Sequence, residues 1–164
     1  MASDAQGLQV TASDESVVAL DRAISDCFGW KGDPVARLQD AVDQDPDFGL
    51  GGSAIASLFL LGGFRGDHSR VTTALAAAEE ASATSREIRH LAAARMLAAG
   101  RIANAIDLWE SIFVDHPTDA LALRERRRNG RLFFSRALTV CVLNGCPNAI
   151  TPVVTSNRRT TRRT

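Results

Sequence analysis

The sequence predicts an all-α fold of stacked antiparallel helix hairpins, and three observations carry that expectation. Alanine is abundant, above all between Ala54 and Ala105, and alanine has the highest helix propensity. Tyrosine is absent and glycine numbers only 12, which argues against a turn-rich, aromatic-rich β protein. From Thr84 to Pro117 two apolar stripes of helical period follow one another across a single glycine. The 164 residues are 45% hydrophobic, enough for one domain with a buried core and too apolar for a wholly disordered chain.

Taken in order, residues 1–14 read as an N-terminal extension and residues 15–123 as the helical domain. A first helix is expected over roughly Glu15 to Phe28 and a second over Pro34 to Gln44. Asp33 and Pro34 have the residue types favoured at the cap and first position of that second helix. A third begins at Gly49 and turns at Gly63. The fourth carries Val71, Leu75 and Ala78 after a turn spanning residues 63–68. Thr84 and Glu87 have capping-box spacing, so a fifth helix starts there with Ile88, Leu91, Ala92 and Met96 as its stripe. Gly100 supplies the flexible turn. The sixth carries Ile102, Ala105, Ile106, Trp109, Ile112 and Phe113 until His116-Pro117 stops it. A seventh is expected from near Thr118.

The Thr84–Pro117 unit resembles a tetratricopeptide repeat, and the fold is accordingly expected to be a tetratricopeptide-like α-solenoid. With Pro117 at the repeat's near-terminal proline, Ala93 and Ala105 take the small positions, Gly100 the turn and Trp109 the aromatic position. Pro46 lies 71 residues before Pro117, one repeat of 34 plus one of 37. On that register Ala56 is the small position, Phe59 the aromatic and Gly63 the turn of the preceding unit. Read together, "DAQGLQVTASDESVVALDRAI", "DPDFGLG" and "TSREIRHLAAARMLAAGRIANAIDLWESIFVDHPTDALAL" are similar to the tetratricopeptide repeat protein 38 family over about residues 4–123. The resemblance implies an all-helical repeat protein, without an established catalytic mechanism, in a family of substantially longer chains. Two departures stand out. Gly51-Gly52 replaces an alanine-histidine type pair, and the likeness stops after Leu123.

The net charge of zero hides an asymmetry. Residues 124–164 hold ten arginines against one acid, Glu125, a charge of +9; the chain's 19 basic and 19 acidic residues then leave −9 for residues 1–123. Three readings of this divergent basic tail follow, in order of preference: a frame break or truncation that replaces the family's downstream repeats, a phosphate-binding arm, or a segment lying on the acidic body or in solvent. It is expected to be partly disordered, since Arg158 to Thr164 includes no apolar side chain. The stretch Leu132 to Leu143 is apolar enough to serve as a surrogate cap on the last hairpin, with weak self-association of that end as the other outcome. Cys27, Cys141 and Cys146 make an odd count without a visible secretory leader, and no apolar run is long enough for a membrane span. A cytoplasmic location and no membrane partner are the expectations.

Little in the sequence points to catalysis. Glu87 and His90 share a helix face, but a di-iron bundle needs a second such pair and further carboxylates. Cys141 and Cys146 lack paired zinc-ligand spacing, and Gly49, Gly51 and Gly52 lack the lysine of a phosphate loop. No enzyme activity, metal or cofactor is therefore expected. The repeat register places Leu50, Ser53, Ser57, Glu87, His90 and Ala94 on the inner face, so Ser53, Ser57, Glu87 and His90 form the candidate groove. That set holds no cation cluster, and a basic or apolar segment suits the acidic body better than an acidic tail. The reading is a non-catalytic protein–protein interaction module, or scaffold, with a protein or peptide partner. An unrecognised enzyme is the alternative, as is nucleic-acid or anion binding through Arg126, Arg127 and Arg128.

Overall fold

A computed structural model describes residues 1–29 and 31–126. The protein is mostly helical: α1 (Asp14–Gly29), α2 (Pro34–Gln44), α3 (Gly49–Leu61), α4 (Ser69–Ala81), α5 (Ser85–Ala98) and α6 (Ile102–Asp115). A further helical stretch covers residues 120–126. The local signals act as their chemistry requires. The Asp33 carboxylate accepts from the Ala36 amide at 3.0 Å with Pro34 opening α2, and Thr84 and Glu87 form a complete capping box on α5. Gly63 and Gly100 take φ of 92° and 74°, the left-handed backbone that an L side chain adopts only with strain.

The helices pair as hairpins α1/α2, α3/α4 and α5/α6, and adjacent hairpins touch through α2 on α3, α3 on α5 and α4 on α5. Gly52 sets the closeness of one pair: a Cβ there would lie 2.8 Å from the Ala74 carbonyl oxygen of α4. A Cβ on its neighbour Gly51 would meet the Phe48 ring at 2.4 Å. The glycine pair is thus a packing requirement of α3, whose first nine residues are all buried.

One core cluster joins Leu20, Leu38, Phe48, Leu50 and Ile55 of the first two hairpins. A second joins Ala93, Ala105, Trp109 and Ile112 of the third. The 120–126 stretch bridges them, Leu121 entering the first and Ala122 the second. Trp109 is only 1% exposed, and it shares its cluster with Ala122.

Two features depart from the sequence reading. The first residues are not a bare extension. β1 (Ala2–Ser3) pairs antiparallel with β2 (Gln9–Val10), and Ala2, Val10 and Ala12 sit in the first core cluster. Asp4 folds the connection: its Oδ1 accepts from the Gln6 and Leu8 amides, and its own amide donates to the Leu8 carbonyl. The second departure is the phase of α5. Ile88, expected on the buried stripe, is 51% exposed, while Arg86, Glu87 and His90 point inward. Burial of three polar side chains rotates the helix away from its apolar stripe, which is tolerable only because each one is paired.

Of the tail, only its first three residues fall among those described. Arg124 pairs with Glu125, and Arg126 Nε donates to Glu110 on α6 at 2.8 Å. Arg127, Arg128, the surrogate cap over Leu132 to Leu143, Cys141, Cys146 and the disorder expected of the chain end all lie outside the described residues.

Candidate functional site

The polar side chains of α5 gather where the N-terminal ribbon, α5 and the turn after α6 meet. Arg86 stands in the first turn of α5. Its Nε donates to Asp119 Oδ2 at 2.7 Å, its Nη2 to Asp4 Oδ2 at 3.0 Å and its Nη1 to the Gln9 carbonyl at 3.3 Å. One guanidinium thereby ties together segments 82 and 33 residues away in sequence. His90, one turn further on, places Nε2 3.1 Å from the same Asp119 oxygen. The other Asp119 oxygen accepts from the Ala122 amide at 2.8 Å and so caps the 120–126 stretch.

Glu87 does a parallel task. Its carboxylate accepts from the Thr84 amide at 2.9 Å and the Ala83 amide at 3.1 Å, which is the cap that the local spacing predicts. It also accepts from the Thr11 amide at 2.6 Å and the Thr11 hydroxyl at 3.0 Å, which no local spacing predicts. Burial by itself raises the pKa of Glu87, but these amide donors outweigh it and hold the group below its ordinary value. Asp119 follows the same logic: burial opposes its charge, and His90 and Arg86 overcome that and hold it well below the usual carboxylate range.

The four candidate groove residues lie on α3 and α5 and do not line an open groove. Ser53, Ser57, Glu87 and His90 are each 3% exposed or less. The inner side of α5 is covered by the chain itself, through Thr11 on one side and Asp119 on the other. Sequence reasoning does not reach this, because no local spacing in residues 1–14 links them to α5. Arg86 escapes it too. The repeat register makes Arg86 the unit's first residue, outside the inner positions, yet it is the buried cation of that face.

The residues that the sequence reading assigns to repeat positions differ in burial. Ala56, Ala93 and Ala105 are fully buried, Gly63 and Gly100 turn the chain, Phe59 is half-buried and Pro117 follows α6 in an exposed turn. No protein-family model matches this chain, and no solved structure matches it.

An open crevice of about 730 Å³ lies elsewhere, between α2 and α4 with α3 as its floor. Val35, Val42, Ile55, Phe59, Ala74 and Ala77 give it aliphatic and aromatic walls, and Asp33 and Arg70 add one charge of each sign. The Arg70 guanidinium stands 5.8 Å from the Phe59 ring centroid, close enough to stack on its face. Among the described residues no group of three or more His, Cys, Asp or Glu side chains is placed to hold a metal ion. Among them, too, no helix is long and apolar enough to cross a membrane.

Proposed function

We propose that this chain is a non-catalytic interaction module of the tetratricopeptide type, in keeping with the resemblance to the tetratricopeptide repeat protein 38 family, and that its partner is a protein or peptide segment. The observation that carries the reading is the covered inner face of α5, which already holds a length of polypeptide through Thr11 and Asp4. Consecutive hairpins that touch mainly their neighbours are the geometry by which repeat proteins build binding surfaces. The chemistry at the cluster agrees. Arg86, Glu87, His90 and Asp119 are buried and engaged with one another or with the backbone. They fasten chain segments together, and none of the four stands in a cavity as a nucleophile beside its base.

The test is to pan random peptide segments against the folded full chain and to map hits by amide chemical shifts. Binders that perturb a contiguous surface of the hairpins support the module. Substrate turnover by the purified chain, abolished in a folded His90→Ala variant, would establish the enzyme reading instead.

A further inference from the structure

We infer that the inner face of α5 is a receptor for a hairpin-like peptide bearing a carboxylate, and that residues 2–12 occupy it as a built-in competitor. The inference rests on the reading of the chain as an interaction module and adds the ligand's chemistry and a regulatory contact.

Three observations carry it. First, the ribbon is held at separated points by the kinds of contact that recognise a peptide. Arg86 takes a carboxylate, Asp4, and a backbone carbonyl, Gln9. Glu87 takes a backbone amide and a hydroxyl, both from Thr11. A bound peptide whose turn folds an acid back beside an N–H donor seven residues later, as Asp4 and Thr11 are here, satisfies the same groups, whatever its other side chains. Second, the receptor groups are fixed without the ribbon. Arg86 is anchored by Asp119, and Glu87 by the Ala83 and Thr84 amides, so departure of the ribbon leaves a formed site. Third, the ribbon's own structure is slight. It has two paired residues per strand, apolar anchors no larger than Val10, and peripheral bonds from the Ala5 amide to Asp21 and from the Ser13 amide to Asp45. A segment of that kind belongs to the low-stability end of a structure, where local opening precedes global unfolding.

Charge selects the ligand. With the ribbon lifted away, Arg86 keeps one carboxylate partner, Asp119, and loses the other, while Glu87 keeps the Ala83 and Thr84 amides, so an acidic peptide restores the lost ion pair. This reverses the preference for a basic ligand that the chain's overall charge suggests, because a buried guanidinium at short range outweighs a diffuse and screened surface field. The ribbon enters α1 with almost no linker, so its effective concentration is of millimolar order and an external peptide competes poorly until the ribbon is weakened.

The experiment titrates a fluorescent peptide of residues 1–13 into three full-length chains and reads anisotropy, with helical circular dichroism as the check on folding. The wild type is expected to bind weakly. An Asp4→Asn, Thr11→Pro chain loses the charge pair and both Thr11 bonds, and is expected to bind the peptide at least about tenfold more tightly. Adding Arg86→Gln to that chain should remove the gain. A folded double variant that binds no better than wild type would overturn the inference. Should the double variant not fold, hydrogen exchange on the wild type decides. Val10 and Thr11 amides that exchange well before those of α3 support a displaceable ribbon, and exchange only at the global unfolding rate makes it a fixed part of the core and overturns the inference. Library peptides that bind only at the α2–α4 crevice and leave the ribbon protected would keep the interaction module and overturn its assignment to α5.

Discussion

At Glu87 one carboxylate accepts four hydrogen bonds, two that begin its own helix and two that hold Thr11. A glutamine of the same shape offers one acceptor oxygen and turns an NH₂ toward amide donors. Glu87→Gln is therefore expected to destabilise the chain by about 2–3 kcal/mol, since bonds to a charged group are worth more than neutral ones and buried donors are left unmet. Urea unfolding measures this; a midpoint unchanged from wild type would mean that Thr11 does not use the carboxylate. Trp109 is the apolar counterpart. It is almost fully buried beside Ala105, Ile112 and Ala122, and Trp109→Ala should cost about 3–5 kcal/mol through lost burial and the cavity left behind. Thermal melts coincident with the parent would show that its pocket is not the one described.

At the scale of elements, α3 and α4 lie as close as Gly52 allows. A methyl group there would sit 2.8 Å from the Ala74 carbonyl oxygen and 3.0 Å from the Ala78 nitrogen, both backbone atoms that cannot swing aside. Gly52→Ala should cost about 1–3 kcal/mol by overpacking, even though alanine is the better helix former. Equal or greater stability in differential scanning calorimetry would show that the two helices can separate freely. Helix propensity and packing pull in opposite directions at this position, and packing prevails. The same competition explains α5. Its apolar stripe through Ile88 yields to a face carrying Arg86, Glu87 and His90, because three well-paired polar groups there bind the N-terminal ribbon and the turn after α6 to α5.

Across the whole molecule the acidic anchors make stability depend on pH. Asp119, Glu87 and Asp45 each have a folded pKa below the ordinary carboxylate value. Each contributes stability that is present above the unfolded value of about 4 and is lost as pH falls through that value toward the lower folded ones. Asp21 runs the other way: burial raises its pKa despite the Ala5 amide, so its protonation in mild acid offsets a small part of the loss. These depressed groups, joined by the exposed Asp67 beside Arg65, outweigh the raised Asp21 and give a net fall in melting temperature below about pH 4. Asp119→Asn should lower stability at neutral pH and flatten that acid fall, and melting curves at several pH values check both. An unaltered acid slope in the variant would place the proton-sensitive groups elsewhere.

The helices and their order are legible in the chain because their signals are local: Asp33-Pro34, the Thr84–Glu87 box, Gly63 and Gly100, and the period of α6 each involve residues within one or two turns of one another. Burial of Trp109 and of the small residues Ala56, Ala93 and Ala105 is legible for the same reason, through a spacing that puts them on one face. The candidate site is not. Ser53, Ser57, Glu87 and His90 can be assigned to an inner face, but what covers that face comes from residues 4–11 and from Asp119, and no spacing rule links Asp4 to Arg86 across 82 positions. Two residues per strand give too little alternation to mark a ribbon in the sequence. Its position is set by Val10 in the core and by two charged side chains of α5. Those contacts exist only after the hairpins have stacked, so the tertiary structure alone decided that the inner face would be closed.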